Sequence, residues 1–155
     1  MRLPLLALAC LLPLAASSAY ASDASVKSRL EARGVKYEID DDGDYKILIS
    51  YKSEGRTQLV FVSGATQSVA GFQVREVFSP VALVEEDGIA KQALALLEEN
   101  RRMKIGAWEV AGDVLYYVIK LPDTVGATEL EAAIEIAAQN ADDKEIKLSG
   151  NKDTF

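Results

Sequence analysis

The sequence predicts an α+β domain, helices flanking an antiparallel sheet in the order α-βββ-α-ββ-α, behind an N-terminal export signal. Apolar residues alternate with a period of two in five short stretches, the pattern of half-buried strands. Three further stretches repeat their apolar residues at helical spacing, and Asp- and Gly-rich turns join neighbouring strands directly. Strands joined by tight turns are antiparallel, and helices kept apart from them define the α+β class.

Residues 1–21 come first. Arg2 supplies a positive start, 3–16 is nearly all Leu and Ala, and Ala19-Tyr20-Ala21 sets small residues where signal peptidase reads. Pro4, Pro13 and Ser17-Ser18 leave the apolar run short of the roughly 20 residues that a membrane anchor needs. Cys10 has too short an apolar run before it for a lipoprotein signal. Cleavage after Ala21 leaves one domain, 22–148, with a polar tail, 149–155, and places it in the periplasm or outside the cell.

The first helix is expected from Ser22 to Arg33, capped by Ser22 or Asp23 and ended by Gly34, with Val26 and Leu30 one turn apart. Residues 35–39 follow as a strand, 40–43 as an acidic turn, and 45–51 as a second strand with Tyr45, Ile47, Ile49 and Tyr51 on one face. After the turn at 53–56, residues 57–62 make the third strand. Residues 64–71 read as a loop, and 72–84 as an extended segment interrupted by Pro80. Asp87 is expected to cap a helix reaching Arg102, with Ile89, Ala93, Leu96 and Leu97 on its apolar face. Strands at 103–110 and 114–121 form a hairpin about Ala111-Gly112-Asp113, ended by Pro122. Thr128-Glu129-Leu130-Glu131 matches a capping box and opens the last helix, which buries Leu130, Ala133, Ile134, Ala137 and Ala141. Residues 145–148 read as a short closing strand.

Composition removes several chemistries. The chain has no histidine, which excludes imidazole acid/base catalysis, Ser-His-Asp triads and the usual zinc sites. Its one cysteine, Cys10, leaves with the signal, so the mature chain has no disulfide. The net charge of −7 becomes one unit more negative when Arg2 is removed, and disfavours nucleic acid and anionic lipid as partners.

On Gly34 followed by a strand and the turn Asp40-Asp41-Asp42-Gly43-Asp44, on Leu96-Leu97-Glu98-Glu99-Asn100-Arg101-Arg102, and on the hairpin 104–121, the chain resembles the YbjN family of small bacterial proteins. The resemblance spans residues 24–142 and rests on structural motifs. It implies a fold like that of type III secretion chaperones, which are small, acidic, usually dimeric protein-binding modules without enzymatic activity. An export signal departs from the cytoplasmic members, so the secretion role does not carry over.

Individual residues are then weighed. Asp40, Asp41, Asp42 and Asp44 could suit a hard cation, but aligned with an EF-hand loop they put Ile49 at the bidentate Glu position, so the run reads as a solvated turn and not a metal site. Arg101, Arg102 and Lys104 could seat an anionic group, although cations in a last helical turn also serve the helix dipole. Asn100 reads as a hydrogen-bonding residue that ends the helix. Trp108, Tyr116 and Tyr117 are candidates for a contact surface, with the two tyrosines on opposite faces of their strand. No catalytic residue, cofactor or phosphate loop is expected. The expected function is a non-enzymatic protein-binding or chaperone-like module in the periplasm, with homodimerisation in view. The competing reading is a small ligand carrier or carboxylate-based enzyme of the envelope, and a purely structural role is a third.

Overall fold

Asp23 opens the first helix, α1 (Ala24–Ala32), by accepting a hydrogen bond from the Ser25 N–H at 2.8 Å. The computed structural model describes residues 23–85, 88–150 and 152–155. The export signal with Cys10, the cap position Ser22 and the cap expected at Asp87 lie outside the described residues. Val26 and Leu30 of α1 are buried as expected. After Gly34 the Val35 N–H turns back to the Leu30 carbonyl, so the first strand, β1 (Glu38–Ile39), is shorter than the expected 35–39.

β1 pairs with β2 (Tyr45–Tyr51), and β2 with β3 (Arg56–Val62), all antiparallel. The expected loop holds β4 (Gln67–Val69), which turns tightly into the long β5 (Phe72–Leu83). Pro80 sits inside β5 at a register shift between Pro80 and Ala82, where a bulge accommodates the missing donor. α2 (Ile89–Arg102) follows, with Gly88 in the position before its first turn and no side-chain cap. β6 (Ala107–Ala111) and β7 (Val114–Pro122) make the hairpin about Gly112 and Asp113. α3 (Ala127–Ser149) closes the chain.

The α+β order holds, with two strands more than expected. All seven belong to one sheet, in the order β1-β2-β3-β5-β7-β6, with β4 paired to β5 off that path. The three helices pack on one face of this sheet. Tyr45, Ile47, Val60, Val77, Tyr117 and Ile119 point toward the helices and meet Leu130, Ile134 and the alanines of α3.

Two expectations about α3 are corrected. Its N-cap is Gly126, without a side-chain cap bond, and Thr128 lies inside the first turn. The Glu129 carboxylate occupies the space beside Gly126 where an N-cap side chain would stand, its Oε2 2.8 Å from a Cβ position. Residues 145–148 are the last turns of this helix and not a strand. Asp142 and Glu145 are buried there because Arg56 of β3 reaches them, Nε to Asp142 Oδ1 at 2.7 Å and Nη2 to Glu145 Oε2 at 2.8 Å. The polar tail folds back onto the same residues: Arg56 donates to the Lys152 carbonyl at 2.8 Å, and the Thr154 N–H to Glu145 at 2.6 Å.

A second buried arginine holds the start of α1 and the turn after β7. Arg75 of β5 binds Asp123 and Asp23, both at 2.6 Å, and donates to the Ser63 carbonyl. Asp23 is fixed further by the Tyr45 hydroxyl on its carbonyl and by its own N–H on the Gly64 carbonyl. Gly64 must lack a side chain, since a Cβ there would stand 1.9 Å from the Gly43 oxygen.

Candidate interaction surface

α2 carries more apolar residues than one side of it can bury, and its placement decides which stay in water. Only Ile89 and Leu96 are buried. Leu97, expected on the buried face, is 64 % exposed, and Leu94 is 71 % exposed. Val110, which faces the helix layer from β6 across from Leu115, is 55 % exposed because α2 covers β6 only in part. Between these elements lies an apolar hollow of about 240 Å³, lined by Ile89, Ala93, Leu97, Trp108, Val110 and Leu115.

The aromatic residues of the hairpin divide by face. Trp108 and Tyr117 are opposite each other on β6 and β7, and both are buried under the helices, which removes them from a free contact surface. Their rings meet edge-on at 4.9 Å. Burial raises the Tyr117 pKa, and its hydroxyl donates to the Ile105 carbonyl. That ring fills the space where a Gly106 Cβ would stand. Trp108 Nε1 donates to Glu99 at 2.9 Å, and Lys144 lies 5.0 Å from the Trp108 ring while binding the same carboxylate at 2.5 Å. Burial works against ionisation of Glu99, but Lys144 and the indole N–H hold its pKa below the usual value.

Asn100 does more than end α2. Its amide accepts the Trp108 N–H at 2.7 Å and donates to the Trp108 carbonyl at 3.1 Å, so one side chain takes both backbone groups of a β6 residue. Arg101, Arg102 and Lys104 are exposed beyond it, in the last turn and the connection to β6.

Tyr116 points to the opposite face of the sheet and is half-buried. Among the described residues no helix covers that face. Phe61 and Phe78 are cross-strand neighbours with stacked rings 5.3 Å apart, and Tyr116 meets Phe78 edge-on at 5.9 Å. Leu59 and Leu48 extend this apolar patch across β3 and β2, and Leu48 is 58 % exposed. Phe61 and Phe78 are not among the sequence candidates: their meeting depends on the pairing of β3 with β5, whose proline obscures its alternation, and whether anything covers that face has no local signal.

The acidic turn binds itself. Asp40 Oδ1 accepts from the backbone N–H of Asp42 and Asp44, and Asp44 Oδ1 from Gly64 at 2.8 Å. Partial burial raises the Asp44 pKa. Among the described residues no three His, Cys, Asp or Glu side chains are grouped to hold a metal ion. The described helices include none long and apolar enough to cross a membrane.

No protein-family model matches this chain, and no curated protein matches it.

Proposed function

We propose that the mature chain is an exported, non-enzymatic protein-binding module of the bacterial envelope, YbjN-like in character, whose protein partner seats on α2 and the adjoining end of β6. The single observation that carries this reading is the apolar stripe of Leu94, Leu97 and Val110 around an apolar hollow. Apolar surface left in water beside such a hollow marks a site where another surface docks. Arg101, Arg102 and Lys104, exposed at the C-terminal end of α2 and in the connection to β6, favour a partner with acidic residues flanking an apolar anchor. Export supplies the location, and the signal at 1–21 is its support.

The test is a photo-reactive residue at Leu97 in the exported protein, followed by identification of what it captures in the envelope. A protein captured at Leu97, and lost with Leu94→Glu, supports the module. A small molecule carried into native mass spectrometry, with no protein captured, moves the ligand-carrier reading ahead.

A further inference from the structure

The outer flank of β2 poses a question separate from the α2 site. β1 pairs only with Tyr45 and Lys46, so beyond them β2 has no neighbouring strand on that side among the described residues. α3 packs over β3, β5 and β7. Along β2 the helical face therefore changes from buried at Tyr45 and Ile47 to half-buried at Ile49 and Tyr51. Two hollows open there, of about 360 and about 500 Å³, and because both are lined by Ile49 and Glu135 they form one groove between β2 and α3. We propose that this groove binds a linear aliphatic polyamine, its methylene chain on the apolar floor and its ammonium groups against the carboxylates of α3.

Three features of the groove select this occupant. The first is its floor. Val35, Ile49 and Ile136 pack against the core yet stay partly exposed, and they give the groove an aliphatic base. A ligand with a methylene chain gains by covering such a surface, whereas a hydrated metal ion gains nothing from it.

The second is charge, which differs between the two ends. At the end that holds Arg33 and Lys36, Arg33 binds Glu131 at 2.6 Å and neutralises it. Glu135, one turn further along α3, is exposed and has no cation among the described residues. Asp143 is exposed too, and accepts only from the Gln139 amide, at 3.1 Å. Burial pushes the Tyr51 pKa up to about 12, and Asp142, Asp143, Glu54 and Glu135 add to the rise, so this end of the groove lies in a field of carboxylates. Asp142 already has Arg56. Glu135, Asp143 and Glu54 are left for the ligand, and their charge is opposite to that of an ammonium group.

The third is spacing. Glu135 and Asp143 both belong to α3, and the rise of the helix sets them about 12 Å apart along its axis. One metal ion cannot touch both, and among the described residues no three acids are grouped to hold one. Ammonium groups held apart on an extended aliphatic chain meet both at once, with the chain lying over Ile49 and Ile136 between them.

Isothermal titration calorimetry of the mature chain with spermidine reads the result, at physiological ionic strength because an acidic protein gathers any polycation at low salt. Spermidine should bind one to one with a Kd below about 1 mM, and putrescine, with one ammonium group fewer, roughly tenfold more weakly. Glu135→Gln with Asp143→Asn, at exposed positions that folding does not need, should weaken spermidine roughly tenfold or more. Ile136→Gln should weaken it without changing the charge. Glu76→Gln with Glu109→Gln, acids outside the groove, should leave binding as it was. No binding at about 1 mM spermidine overturns the proposal. So does a loss as large with the outside pair as with the groove pair, displacement by magnesium chloride of equal charge, or a Lys-rich peptide that binds the groove more tightly than spermidine. Failure here would leave the α2 site standing, since capture at Leu97 is read independently.

Discussion

Arg56 and Arg75 are both buried on the helical face of the sheet, Arg56 holding the C-terminal tail and Arg75 the start of α1, yet they bear their burial differently. Arg56 faces two carboxylates, Asp142 and Glu145, that are themselves only 1 % exposed. One cation and two anions are thus withdrawn from water together. Arg75 is as deeply placed, but Asp23 and Asp123 keep 35 % and 22 % of their side chains in solvent, and Arg29 shares Asp123 at 2.9 Å. A group that keeps water can relax when its partner is lost, whereas a fully buried carboxylate cannot. The same residue type therefore has a structural role whose weight is set by its partners.

Removing the cations should expose this difference. Arg56→Ala leaves two buried carboxylates unpaired and should cost about 3–5 kcal/mol by urea unfolding. Replacing all three residues, Arg56→Met with Asp142→Leu and Glu145→Leu, should recover most of that loss, because the penalty lies in the orphaned charges. Hydrogen exchange should show 152–155 released in both variants, since the tail is held by Arg56 and Glu145. Arg75→Ala should cost less, about 2–3 kcal/mol, as Asp23 and Asp123 turn to solvent and the Asp23 cap on α1 survives. Equal losses at the two sites would break the comparison.

Acid should sharpen it. Burial alone would raise the Asp123 pKa, but hydrogen bonds from Arg75 and Arg29 hold it below the ordinary value. The Ser25 N–H does the same for Asp23, with Arg75 adding to it. Carboxyls with lowered folded pKa contribute stability that is present above their unfolded value, near pH 4, and lost as pH falls through the folded one. Asp44, whose pKa is raised, contributes in the opposite sense and partly offsets the loss. The net slope below about pH 4 should flatten in Arg75→Ala, measured as melting temperature against pH. The smallest effect belongs to Lys27→Ala, which breaks an exposed ion pair with Glu31 and should leave the melting temperature unchanged within error.

These two clusters also mark where the sequence was legible. Val26, Leu30, Tyr45, Ile47 and the stripe from Leu130 to Ala141 lie where periodicity put them, since apolar spacing responds directly to a shared core. The last turns of α3 did not read as helix because Asp142, Lys144 and Glu145 occupy buried positions, and charge there has meaning only once Arg56 and Glu99 are brought from distant parts of the chain. β4 consists of three exposed residues, and β5 holds a proline, so neither shows a clean alternation. Among the candidate residues, alternation separated Tyr116 from Tyr117, but which one met the helices depended on where α2 and α3 lie. The exposed Leu97 reads as core for the same reason: helical spacing names a face without saying how much of it is covered.

The contact between Asn100 and Trp108 has a consequence for growth of the sheet. β6 is its last strand, and a bare edge invites any extended chain, another copy included, to pair with it without limit. An amide that already engages both main-chain groups at Trp108 imitates a neighbouring strand and stops there. At Trp108, therefore, the edge of β6 is closed to an extended strand from another molecule.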